Sequence, residues 1–113
     1  MYKVGDVVFC RFPYREDPTQ FTNRPALVMK VLNQGTYYML AQITSTDRRN
    51  SQLIGYWVEQ KSKENFSMNL KTDSFINLSN ILKAPSHSLV RLLGKCPIMP
   101  ALEKLCKDSN IKY

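Results

Sequence analysis

The chain has 113 residues, 43% of them hydrophobic and 22% charged, and its 16 Lys and Arg against 9 Asp and Glu give a net charge of +7. A chain of this size makes one domain with its own core, and its apolar content is too high for a disordered segment. The charge favours anionic partners, whether nucleic acid, an acidic protein or an anionic membrane.

No apolar run approaches the ~18 residues that a membrane span needs. Asp6 interrupts the place where a signal peptide would carry its apolar stretch, so a cytoplasmic location is expected, with no membrane partner. Cys10, Cys96 and Cys106 are odd in number and lack a Cys-x-x-Cys spacing, and His87 is the single histidine. Neither a disulfide framework nor a structural zinc site is expected from such a set.

In chain order, Val4 to Phe12 reads as a strand with apolar side chains on both faces, a pattern suited to a small barrel or a subunit interface. Residues 13–23 are polar with two prolines and read as a long exposed loop. Ala26 to Leu32 is a second strand and Asn33-Gln34-Gly35 a turn. Thr36 to Ile43 is a third strand with Tyr37, Met39, Ala41 and Ile43 on one side. A second polar loop spans residues 45–52. Leu53 to Glu59 and Asn65 to Leu70 are expected as strands four and five. The apolar residues Phe75, Ile76, Leu78, Ile81 and Leu82 come close to helical spacing, which predicts a turn of helix over Asp73 to Leu82. Ser88 to Leu93 is the expected closing strand. Pro97 and Pro100 precede an amphipathic helix over Ala101 to Asp108, with Leu102, Leu105 and Cys106 on one face. The sum is a single domain over residues 1–113, mainly β or α+β, shaped as a small barrel with a short C-terminal helix.

The chemistry narrows by subtraction. The four glycines are widely separated, which excludes a phosphate-binding glycine loop; one histidine excludes a Ser/His/Asp or Cys/His set with any spacing logic; the acids are scattered. No metal and no cofactor are expected. What remains is Arg24, where a long loop enters strand two, and the hydroxyl run Thr44-Ser45-Thr46, where strand three leaves the sheet. If the two strands pair through the Asn33–Gly35 turn, Arg24 and Thr44 meet at one open end, each about ten residues from that turn. A guanidinium beside hydroxyls can hold a phosphate. The competing assignment pairs Arg24 with Asp6 or Glu16 and leaves Thr44 to satisfy backbone in a turn.

These residues also carry a resemblance. Val4-Gly-Asp-Val-Val8, Asn23-Arg-Pro-Ala-Leu-Val-Met29 and Ile43-Thr-Ser45, in this order, resemble the MazF/PemK-like toxins of bacterial toxin–antitoxin pairs. Lys83-Ala-Pro-Ser86 and Leu89-Val-Arg91 resemble a later family segment more loosely. The resemblance implies an SH3-like β-barrel that forms a homodimer. It implies metal-independent, sequence-specific cleavage of single-stranded RNA, and an acidic antitoxin as inhibitor. It places Arg24 and Thr44 on the family's catalytic arginine and threonine, and Arg91 on a further arginine that serves some members. The catalytic aspartate of some members is replaced here by Leu93, which leaves Glu16, Asp17, Asp47 and His87 as candidate bases. Further RNA contacts are expected from the loops: Tyr14, Arg15, Phe21, Ser45, Arg48 and Arg49. The alternative is a catalytically degenerate barrel that binds RNA or an acidic protein without cutting; a small structural protein is a third option.

Overall fold

The computed structural model describes residues 1–13 and 19–113, with Pro13 described in its backbone alone. Tyr14, Arg15, Glu16 and Asp17, named above, lie outside the described residues. The strands are β1 (Asp6–Pro13), β2 (Phe21–Leu32), β3 (Tyr37–Thr44), β4 (Gly55–Val58), β5 (Ser74–Pro85) and β6 (Leu89–Lys95). One turn of helix, α1 (Asn65–Met68), precedes β5, and the longer α2 (Met99–Asp108) follows β6. All pairings are antiparallel, and the order across the sheet is β4-β5-β3-β2-β1-β6.

The sheet curls, so several strands are covered on both faces. Val7 and Val8 point to opposite sides of β1 and are both fully buried, as are Leu27 and Val28 on β2 and Leu40 and Ala41 on β3. One cluster gathers Val7, Leu27, Ile43, Ile76, Leu78 and, from α2, Leu102 and Cys106; the other gathers Val8, Val28, Tyr38 and Leu40. The doubly apolar reading of β1 holds for this reason. Pro100 occupies the first turn of α2, where a missing N–H costs nothing. All three cysteines are free, and burial pushes the thiol of Cys10 up to about 11 and raises those of Cys96 and Cys106.

Three expectations change. The stretch expected as a helix over Asp73 to Leu82 is the twelve-residue strand β5. Its pairing to β3 steps from Asn77 opposite Gln42 to Ile81 opposite Ala41, so the extra residues form a bulge. A bulge between two short period-two runs, one covered on both faces, imitates helical spacing. Ile54 stitches it from β4's side: its carbonyl accepts the N–H groups of Leu78 and Ser79, and its own N–H donates to Ser79 Oγ at 2.7 Å. Second, Asn65 to Leu70 is not a strand. The buried Asn65 side chain donates to the carbonyls of Gln60 and Leu70 and accepts the Leu70 N–H, closing the α1 turn on itself. Third, β2 begins at Phe21, inside the expected loop, and pairs Phe21 to Asn23 with Pro13 to Arg11.

The edge strands β4 and β6 do not pair with each other, so hydrogen bonds do not close the barrel. Instead α1 lies against β6 at Gly94, where a Cβ would collide with the carbonyl oxygens of Ser67 and Met68.

Candidate active site

The ladder between β2 and β3 ends at the pair Ala26–Gln42, although both strands continue. Beyond it Arg24 stays paired with Cys10 of β1, and Thr44 with Phe75 of β5. Pro25, which has no N–H to give a ladder, stands at the fork. Extending the register by two residues sets Arg24 level with Thr44, and both line one cavity of about 490 Å³. The strand-pairing argument made from sequence therefore holds.

Arg91 enters the same cavity from β6. It sits opposite Phe9 of β1 and stacks its guanidinium over that ring at 5.0 Å. Ser45 and Thr46 continue the β3 rim, and Leu93 adds an apolar side. The far wall is the segment between α1 and β5, with Asn69, Lys71 and Thr72, and Ser74 at the start of β5. Three cations and five hydroxyls thus face one space, and no Asp, Glu or His lies among the described residues lining it.

Arg24 makes no ion pair with any described residue. Asp6, its competing partner in the sequence reading, is buried and taken: it accepts Lys95 Nζ at 3.1 Å and the Lys3 N–H at 2.9 Å. Thr44 Oγ1 does accept a turn N–H, that of Thr46 at 3.2 Å, and its hydroxyl proton stays available to donate.

The family model of the PemK-like, MazF-like toxins of type II toxin–antitoxin systems matches residues 3–102. The chain belongs to this family. Two solved structures share its fold. One is described as the Mycobacterium tuberculosis toxin MazF-mt6, 17% identical, with a TM-score of 0.64 over 96% of this chain and 99% of that one. The other is an endoribonuclease in complex with its cognate antitoxin from Mycobacterial species, 17% identical, with a TM-score of 0.65 over 100% and 99% of the two chains. No curated protein sequence matches the chain.

For a MazF-like chain the remaining expected residues divide sharply. Arg24, Thr44, Ser45 and Arg91 share the cavity; Phe21, Arg48 and Arg49 do not line it. Phe21 is half exposed beneath Arg11, whose guanidinium lies 4.7 Å from the ring centre. Arg49 is held by Asp47 at 2.6 Å and lies 4.5 Å over the Trp57 ring, so both partners are committed to each other and to β4. The hydrogen bonds from Arg49 lower Asp47 to about 2, which removes it as a proton acceptor of useful strength. His87 occupies an exposed turn before β6, away from the cavity lining. Sequence reasoning missed Asn69, Lys71 and Thr72: Asn69 fell in the expected strand Asn65 to Leu70, and Lys71 and Thr72 just beyond it. The polar pair Asn65 and Asn69, four apart, was the available signal.

Proposed function

We propose that this chain is the toxin of a type II toxin–antitoxin pair that cleaves single-stranded RNA in the cavity between β2, β3 and β6. The observation that carries the reading is the meeting of Arg24 and Thr44, from diverging strands, in a cation-lined cavity large enough for a nucleotide. In the reaction the RNA 2′-oxygen forms a bond to phosphorus while the bond from phosphorus to the 5′-oxygen breaks. A 2′,3′-cyclic phosphate and a 5′-hydroxyl result, and the proton lost from the 2′-hydroxyl balances the one gained by the leaving oxygen. The Arg24 guanidinium is suited to the charge that builds on the pentacoordinate phosphate, since its fork meets two oxygens. Thr44 is suited to orient the phosphate or the 2′-hydroxyl, and Arg91, stacked on Phe9, to hold the neighbouring phosphate. Ser45 borders the same space.

The net charge of +7 suits both RNA and an acidic antitoxin. The solved neighbour with its cognate antitoxin supports such a partner here. Exposed Val90 and Leu92 on edge strand β6 support assembly as a homodimer. The reading places the chain in the cytoplasm, where its substrate is.

One observation favours the alternative of binding without cleavage: no carboxylate or imidazole lines the cavity among the described residues. Cleavage of a long single-stranded RNA in EDTA, by the wild type and by Arg24→Ala, decides between them. Sequence-specific cuts that vanish in the variant are expected. Salt-sensitive binding with no cutting by either protein would instead establish the binding module.

A further inference from the structure

The segment from Asn69 to Asp73 bridges two parts of the sheet. At one end Asn69 lies in the left-handed region at φ 62°, and its Nδ2 donates to the Leu93 carbonyl of β6 at 3.3 Å. At the other end β5 begins at Ser74 and sets Phe75 opposite Thr44 of β3. Lys71 therefore stands on the wall joining the Arg91 side of the cavity to the Thr44 side. Its ammonium has no hydrogen bond or ion pair among the described residues, and neither has the guanidinium of Arg24. Three like charges around one space repel, and the arrangement becomes favourable when an anion enters between them.

Strand spacing sets the scale. Arg24 and Arg91 are rooted on β2 and β6 with β1 between them, so their backbones stand roughly 10 Å apart, two strand spacings. Arg91 is further held by the Phe9 ring. A phosphate gripped by Arg24 and Thr44 lies in the cavity that Lys71 also lines. We infer that Lys71 is a further catalytic residue of this site, its ammonium hydrogen-bonded to a non-bridging oxygen of the phosphate that Arg24 and Thr44 hold. A compact ammonium with three donors fits an oxygen whose charge grows in the transition state, and it gives up no proton in doing so. The assignment rests on the ribonuclease reading of the cavity.

The test uses Lys71→Met and Lys71→Arg in the full chain. Single-turnover cleavage of a single-stranded RNA is measured beside salt-dependent binding of the same strand carrying a 2′-O-methyl group at the cleaved nucleotide. Lys71→Met is expected to slow cleavage roughly 10- to 100-fold. It should also flatten the slope of log K against log salt by about 0.7, the share of one phosphate contact on a single strand. Lys71→Arg should recover most of both, and the thermal midpoint should stay put because Lys71 is exposed. Wild-type cleavage by Lys71→Met, with Arg24→Ala inactive, would remove Lys71 and leave the ribonuclease standing. Equal loss in Lys71→Arg would assign shape rather than charge, and overturn the inference as well. A wild type that cuts no RNA ends the ribonuclease reading, and the catalytic role of Lys71 with it.

Discussion

Arg24 and Thr44 reach the cavity on strands whose places follow from ladder register and from buried neighbours such as Cys10, Ile43 and Phe75. Lys71 and Thr72 reach it on a stretch that pairs with no strand. Side-chain hydrogen bonds and one buried leucine hold that stretch: Asn65 closes the α1 turn through three bonds, Asn69 ties to β6 through one, Asp73 accepts the Gln60 N–H, Ser74 donates to the Thr72 carbonyl, and Leu70 sits in the core. One wall is thus fixed by ladder register and many buried neighbours, the other by side-chain hydrogen bonds and the single buried Leu70. The strand-built wall should tolerate change at its polar residues without moving, while the bridging wall should shift when the Asn65 amide is lost.

The sharpest test of the strand-built wall is Arg24→Ala, expected to lower the cleavage rate by about 10²- to 10³-fold, as loss of a transition-state donor does, with the urea midpoint unchanged. The bridging wall should answer differently. Asn65→Ala leaves the buried carbonyl and N–H of Leu70 and the partly buried Gln60 carbonyl without this partner, which should cost about 2–4 kcal/mol in urea unfolding and reduce cleavage through displacement of Lys71. If it keeps full activity at full stability, the two walls are not held as differently as the bonds suggest.

A pH profile sharpens the comparison. With cations and hydroxyls but no carboxylate or imidazole among the described lining residues, log kcat should climb steadily from pH 6 to pH 8.5. A plateau beginning near pH 5 would point to a carboxylate base outside that set. The smallest effect belongs to Asp47, beyond either wall. Arg49 holds its carboxyl down to about 2 from 3.8, so the pair adds stability above about pH 4 that is lost as pH falls toward 2. A carbon-detected titration of Asp47 should show the low midpoint, and Arg49→Ala should return it to the ordinary range.

Legibility in the sequence follows the same division. The fold was readable where period-two alternation met clear turns: β1, β3 and the Asn33–Gly35 turn all lie close to their expected places. Arg24 and Thr44 were readable because antiparallel register about a known turn is arithmetic. β5 was not, since a bulge erases the period that marks a strand. The bridging wall was not, since its shape comes mostly from side-chain hydrogen bonds of Asn65, Asn69, Asp73 and Ser74, with no periodic apolar pattern around Met68 and Leu70. Arg49 shows the opposite limit: its charge suggested RNA, and only the nearness of Asp47 and Trp57 reveals that it is occupied.

Gly94 lets one helical turn press its carbonyls against an edge strand that has no ladder partner on its outer side. The barrel is thus shut there by contact across a missing side chain, and such a seam separates without unzipping a row of hydrogen bonds. In amide exchange the outward-facing N–H groups of β6 should lose their protons long before those of β2 and β3. The protein would then breathe beside the Arg24–Thr44 cavity while the rest of the sheet stays closed.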